Sequence, residues 1–348
     1  MSLHAVIIAG GSGTRFWPES RRTLPKQFLR FEPHRSLITA TSDRLGALVP
    51  KQNLWVVCGA AHAKLVERDL PQLPKENLLV EPKAKNTAPA IALANLHVHN
   101  KDPEAVVCVL PADHFIRDEQ AFRTALEKAV AEAKRGGVVT LGITPNRAET
   151  GFGYIERNEE VGPGAYRVAR FIEKPPQKDA EKYAASGKHF WNGGIFVFLA
   201  AEMQRLFGSL AKEIAEPLAQ YEPGDAASLA QAFDKVPSIS IDYAIAEKAP
   251  DMKVVALDCG WSDVGGWDAL PEVLTEDGQK NVADADLLAI EAHGNIVKVP
   301  RGKRVCLVGV EDLIVVDTPD ALLVMPRGQG QRVREVVAAL EKLAPEKL

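Results

Sequence analysis

Of 348 residues only four are cysteine, and Cys58, Cys108, Cys259 and Cys306 stand far apart with no CxxC pair among them. That spacing excludes a disulfide framework, and settings such as WVVCG and AVVCVLP point to buried free thiols in a reducing compartment. Long hydrophobic runs are absent as well. The longest, Ile195–Ala201, falls well short of the roughly 20 residues that cross a bilayer. The stretch Ala5–Ala9 is too short for a signal-peptide core and has no basic leader, so a cytoplasmic location is expected. No excess of either charge exists: 42 basic and 46 acidic side chains give a net charge of −4. Such a balance offers no global field for nucleic acid or an anionic membrane, and neither is expected as a partner; any phosphate site must be a local cluster. What is present, 46% hydrophobic and 25% charged residues, is the composition of an ordinary globule, long enough for a large α/β domain with an appendage.

Short Val- and Ile-rich runs alternate with longer amphipathic segments. Ala5–Ala9, Leu54–Val57, Leu78–Val80, Ala105–Leu110 and Val138–Ile143 read as strands, while Phe122, Leu126, Ala129, Val130 and Ala133 recur at helical spacing. Strands apolar along their whole length predict a parallel, doubly wound sheet covered on both faces. After Gly151 the rhythm loosens, and GFGYIE, Val168–Ile172 and Ile195–Leu199 predict a mixed extension of that sheet. From about residue 281 brief strands follow one another at Ile296–Val299, Val305–Val308, Leu313–Val316 and Leu322–Met325, as in a small β-layer or short β-helix. A final helix carries Val333, Val336, Val337, Leu340 and Leu343 on one face. That stripe suits either its own domain or a second copy of the chain, which leaves a homodimer open. Residues 1–280 and 281–348 are accordingly read as two domains.

The first strand runs into GGSGTRFWPESRRTLPKQF, residues 10–28. Gly10, Gly11 and Gly13 let successive N–H groups turn toward an anion. A Rossmann fingerprint would need a glycine where Phe16 stands, and a Walker loop would need Gly-Lys-Ser/Thr, which is absent. What accompanies the glycines is cationic: Arg15, Arg21, Arg22 and Lys26. Cations beside a strand end suit a triphosphate, because phosphoryl and nucleotidyl transfers are driven mainly by positioning and charge neutralisation.

These residues carry a resemblance: GGSGTRFWPESR followed by PKQF is similar to the signature of bacterial mannose-1-phosphate guanylyltransferases, also called GDP-mannose pyrophosphorylases. The resemblance implies a GT-A-like nucleotidyltransferase domain, Rossmann-like with a mixed, mainly parallel sheet, and a small C-terminal β-helix-like and helical domain. It implies transfer of GMP from GTP to mannose 1-phosphate, giving GDP-mannose and pyrophosphate. Arg15 and Lys26 would then be the catalytic cations, with Gly10, Gly11, Gly13 and Thr14 around the nucleotide. Relatives using dTTP or UTP share GxGTR and PK but usually lack the intervening WPxSR with KQF.

Two carboxylates complete the chemistry. LPADH places Asp113 just beyond a strand's carboxyl end, and WSDVGGW sets Asp263 in a glycine-flanked turn. By themselves such segments read as turns with a capping aspartate. In the resembled family these are the elements whose aspartates hold the catalytic metal, so Mg²⁺, which asks for one or two carboxylates plus phosphates and water, is the cofactor expected. His114 has no second histidine at ligand spacing, which excludes zinc. In EPKAKNTAPAIALA, Asn86 or Thr87 caps a helix, while Glu81 offers acceptors suited to the adjacent N–H and NH₂ donors of guanine. The resemblance gives Glu81, Asn86 and Thr87 a base and ribose role. GFGYIE, FIEKP, WNGGIF and SIDYAI imply a sugar-phosphate pocket of Gly153, Glu173, Lys174, Asn192 and Asp242. Two alternatives stay open: a pyrophosphorylase making another nucleotide sugar, and a nucleotide-sugar-sensing subunit without turnover, which the intact loop arginine and aspartates disfavour. Many relatives continue into a cupin-type isomerase domain, and isomerase activity is not expected of this chain.

Overall fold

A computed structural model describes residues 1–11, 13–31 and 35–348. In chain order its strands are β1 Leu3–Ile8, β2 Leu54–Gly59, β3 Leu78–Glu81, β4 Val106–Pro111, β5 Phe115–Ile116, β6 Val138–Ile143, β7 Tyr154–Gly162, β8 Ala165–Ile172 and β9 His189–Leu199. There follow β10 Met252–Leu257, β11 Trp261–Ser262, β12 Val282–Asp284, β13 Asp286–Ile290, β14 Ile296–Lys298, β15 Arg304–Val308, β16 Leu313–Thr318 and β17 Ala321–Pro326. By internal packing the chain divides into two compact units, neither of which is continuous in sequence. The first comprises Met1–Gly10, Thr41–Ala112 and Asp118–Cys259; the second comprises Gly11–Ala40, Asp113–Arg117 and Gly260–Leu348.

The first unit is built on a nine-stranded sheet in the order β3-β2-β1-β4-β9-β6-β10-β8-β7. Strands β3, β2, β1 and β4 run parallel, β9 lies antiparallel between β4 and β6, and β8 and β7 continue antiparallel beyond β10. Strand β6 is buried at every position, as expected of a strand covered on both faces. The helix Glu119–Ala133 starts at Asp118, whose carboxylate accepts from the N–H groups of Gln120 and Ala121 at 3.0 and 2.9 Å. Its buried stripe holds Phe122, Leu126, Ala129 and Ala133 with Ala125, while Val130 is half-buried. Strand β10 went unanticipated because Lys253 interrupts its apolar run. The structure keeps that lysine buried by giving its ammonium the carbonyls of Glu132 and Gly136, at 3.2 and 2.8 Å.

In the second unit β12, β14 and β16 form parallel rungs, β13 and β15 form a second parallel pair, and β17 turns back antiparallel on β16. This is the β-helix-like arrangement expected, with β12 and β13 in addition to the four anticipated strands. Buried asparagines stack at its corner: Asn295 Nδ2 donates to Asn281 Oδ1 at 3.0 Å, and Asn295 Oδ1 accepts from the N–H of Leu313 at 3.0 Å. Side-chain amides thus satisfy buried backbone groups at the turns. The helix Val333–Leu343 lays Val333, Val336, Val337 and Leu340 on a core shared with Phe16, Trp17, Trp267, Ile314 and Val316, whereas Leu343 is exposed. Its stripe therefore packs on its own unit. Cysteines 58, 108 and 259 are buried free thiols; Cys306 is a correction, since alternation along β15 turns it outward. No helix among the described residues is long and apolar enough to cross a membrane.

Candidate active site

The second unit brings Arg15, Lys26, Asp113 and Asp263 together. Two-residue strands do it: β5 pairs antiparallel with β11, Phe115 opposite Ser262, so Asp113 just before β5 and Asp263 just after β11 meet. The ammonium of Lys26, itself buried, donates to Asp113 Oδ2 at 2.8 Å and to the carbonyl oxygen of Asp263 at 2.5 Å. A Cβ added at Gly265 would lie 3.0 Å from Asp263 Oδ2 and 3.4 Å from Arg15 Nη1, which fixes both side chains beside that turn. Burial opposes ionisation of Asp113, yet the Lys26 ammonium, with His114, outweighs it and holds the carboxyl below its usual range. Burial pushes the Asp263 carboxyl up against the pull of Lys26 and Arg15, and the charges of Asp113 and Glu272 add to the rise.

Local chemistry explains the placement. At Gly13 φ is +58°, and a Cβ there would stand 2.4 Å from Lys26 Cβ and 2.5 Å from its backbone nitrogen, so only glycine lets the loop pass that close. Thr14, Arg15 and Phe16 form a 3₁₀ turn whose Phe16 is driven into the core, edge-on to Trp267 with centroids 5.0 Å apart. Trp267 Nε1 donates to the Trp17 carbonyl at 3.0 Å, and Trp17 Nε1 to the Lys347 carbonyl at 2.9 Å. Buried Lys298, in β14, holds Asp284 at 2.7 Å and Glu19 at 3.6 Å. The Asp263 turn is strained: Val264 has φ +44°, uncommon for a β-branched residue, and is held by complete burial and by Ser262 Oγ, which accepts its N–H at 3.0 Å. Gly11 sits in the same loop with φ +92°; Ser12 lies outside the described residues.

The first unit carries Gly10 at the end of β1 and the remaining candidates. Gly153, Glu173, Lys174, Asn192 and Asp242 converge. A Cβ on Gly153 would stand 2.6 Å from Glu173 Oε2 and 3.4 Å from Asn192 Cβ. Asn192 Nδ2 donates to Asp242 Oδ1 at 2.9 Å, and the exposed Lys174, at φ +47°, bonds to Glu173. Burial and the neighbouring Glu173 charge push the Asp242 carboxyl up, while the hydrogen bond to Glu173 raises Lys174. Asn86 caps the helix Thr87–Lys101, its Oδ1 accepting from the N–H of Thr87 at 2.8 Å, and the Thr87 hydroxyl accepts the N–H of Ile241 at 2.9 Å, next to Asp242. Glu81, at the end of β3, stands apart in its bonding: Oε1 is buried with no hydrogen-bond partner among the described residues, and burial pushes its carboxyl up to about 7.

The roles of Trp267 and Lys298 in holding the loop depend on contacts far apart in sequence, and those of Val264 and Ser262 in holding the turn depend on the burial that folding gives Val264. Trp17 and Trp267 lie inside the quoted motifs, where two large aromatics flanking charged segments were the available sign of a packed support.

Residues 4–280 match the family model described as nucleotidyl transferase, and residues 286–340 match that of the MannoseP isomerase/GMP-like beta-helix domain. The chain is 40% identical over 348 residues to a mannose-1-phosphate guanylyltransferase of Escherichia coli, covering 97% of this chain and 74% of the relative. It is 41% identical over 344 residues to the xanthan biosynthesis protein XanB of Xanthomonas campestris pv. campestris, covering 97% and 73%. A solved structure from Thermus thermophilus, described as mannose-1-phosphate geranyltransferase, superposes with a TM-score of 0.90 at 34% identity, covering 98% of this chain and 100% of that one.

Proposed function

The chain belongs to the nucleotidyl transferase family and, within it, to the mannose-1-phosphate guanylyltransferases, and from that premise we propose that it transfers GMP from GTP to α-D-mannose 1-phosphate. A non-bridging oxygen of mannose 1-phosphate forms a bond to the α-phosphorus of GTP, the bond from that phosphorus to the β-phosphate oxygen breaks, and pyrophosphate leaves with GDP-mannose as product. No protein nucleophile takes part. The observation that carries this reading is the Lys26 ammonium seated between the Asp113 carboxylate and the Asp263 carbonyl, with Arg15 at the same turn.

The donor set suits Mg²⁺. Both acidic ligands are oxygen donors, and the place before Asp113 already accommodates a cationic group. Asp113 and Asp263 would hold the ion, substrate phosphates and water supplying the rest. When bound, Mg²⁺ supplies Lewis-acid neutralisation of phosphate charge. Arg15 and Lys26 hold the α-phosphate and the leaving pyrophosphate, offsetting charge that grows on the leaving group. Glu81 accepts hydrogen bonds from guanine, Glu173 and Asn192 hold sugar hydroxyls, and Lys174 positions the 1-phosphate.

The test is pyrophosphate release measured over a panel of nucleoside triphosphates and sugar 1-phosphates. GTP with mannose 1-phosphate should give the highest kcat/KM. Faster turnover with another pair would reassign the substrates, and tight binding of both without pyrophosphate release would identify a sensing subunit.

A further inference from the structure

Strand β6 reads VVTLGI and is buried along its length, with Thr140 fully buried between Phe196 of β9 and Val254 of β10 in the sheet register. A hydroxyl there needs a reason, because valine has the same shape and no polar atom to desolvate. Opposite it, β9 departs from regular pairing: Thr140 faces Phe196 and Gly142 faces Asn192, so β9 carries two extra residues in a bulge. The bulge is tightly made. A Cβ on Gly193 would stand 2.8 Å from the Leu141 carbonyl oxygen, and Gly194 has φ +65°. Thr140 Oγ1 spans it, its single hydroxyl proton donated between two acceptors, the Ile195 carbonyl oxygen at 3.0 Å and Asn192 Oδ1 at 3.1 Å.

Asn192 projects from this bulge, and its amide orientation follows from the donors around it. The N–H of Gly194 can only donate and meets Asn192 Oδ1 at 3.1 Å, so the NH₂ group must face Asp242 Oδ1, 2.9 Å away. Thr140 is the only side chain shown bonding to that amide oxygen among the described residues. Losing its hydroxyl would leave the amide held on one edge by a single backbone N–H.

We propose that Thr140 is a positioning residue for the sugar-phosphate substrate, tying down the β9 bulge so that the Asn192 amide keeps its NH₂ on Asp242 and its place beside Gly153 and Glu173. The inference rests on the reading of Asn192 and Asp242 as sugar-side residues. It assigns Thr140 no contact with substrate, and the GTP-side residues Arg15 and Lys26 are outside its reach.

The experiment compares Thr140→Val, Thr140→Ser and Asn192→Ala in the full chain, with separate KM values for mannose 1-phosphate and GTP and a thermal unfolding control. Thr140→Val should raise KM for mannose 1-phosphate about fivefold, the effect of one lost hydrogen bond, with kcat and KM for GTP within about twofold. Thr140→Ser, which keeps the hydroxyl, should restore the original value. Thr140→Val combined with Asn192→Ala should be no worse than Asn192→Ala alone, as expected for residues acting through one another. A raised sugar KM in Asn192→Ala but not in Thr140→Val overturns the proposal and leaves the sugar-side reading intact. An unchanged sugar KM in Asn192→Ala removes that reading and the proposal with it. If Thr140→Val does not fold, Thr140→Ala is measured by the same split, and a loss shared equally by both substrates counts against the proposal.

Discussion

Around Lys26 a buried ammonium meets a carboxylate and a carbonyl, and a second cation stands by the second aspartate. Around Asp242 two carboxyl groups share one exposed lysine, and at Glu81 a buried oxygen has no partner among the described residues. In the first cluster cations stand against both aspartates, so its function depends on exchanging those contacts for phosphate and metal. The second is short of donors, and hydroxyl-rich sugar and the amine edge of guanine are what would supply them. The phosphate side should therefore be sensitive to loss of charge, and the base and sugar side to pH and to loss of hydrogen-bonding geometry.

The largest expected effect comes from removing the divalent ion: a chelator should bring pyrophosphate release to background, with activity restored by added Mg²⁺. Full activity in chelator would break the pairing of Asp113 and Asp263 with a metal. Next, Arg15→Ala should lower kcat about 10²–10³-fold, the usual cost of removing a group that stabilises transition-state charge. KM for mannose 1-phosphate should stay within about twofold; equal loss in sugar affinity would erase the distinction between the clusters.

Glu81 gives the pH arm. Its carboxyl is raised from 4.5 to about 7 by burial, so the folded protein favours the neutral form. Guanine needs the ionised acceptor, and GTP affinity should rise about tenfold with pH through 7, a step missing in Glu81→Gln. Stability runs the other way: the unfolded carboxyl ionises near 4.5, so the native advantage is present below that pH and is lost as pH rises to about 7. At pH 8 Glu81→Gln should therefore be more stable than the parent by at most about 3 kcal/mol in urea titration, and indistinguishable at pH 4. The smallest functional effect belongs to the satisfied network of the β-coils. Asn295→Ala should cost about 2–3 kcal/mol of stability through unpaired buried groups, with KM values unchanged in the surviving folded protein.

Much of the architecture was legible. Uninterrupted apolar runs announced β1, β2, β4 and β6 because a strand covered on both faces has no polar side, and a helical stripe marked Glu119–Ala133. Strand β10 was hidden by Lys253, whose buried charge is met by the carbonyls of Glu132 and Gly136 and by the Glu132 carboxylate at 3.9 Å. The final helix could have faced a second copy or its own unit, and the choice fell to the core around Phe16 and Trp267. Motifs named the charged residues of both clusters, while of the loop's supports only Trp17 and Trp267 left a sign, as large aromatics inside those motifs.

Residue types and their order settled the fold class, the cationic glycine loop, and the aspartates available to a metal, because apolar periodicity and side-chain chemistry are local properties. Long-range contact settled the rest. Strands β5 and β11 are two residues each, too short to show any period, yet their pairing is what carries Asp113 to Asp263. The ionisation of Glu81 and Asp242 likewise depends on how much water folding strips from them, a quantity that no stretch of neighbouring residues sets.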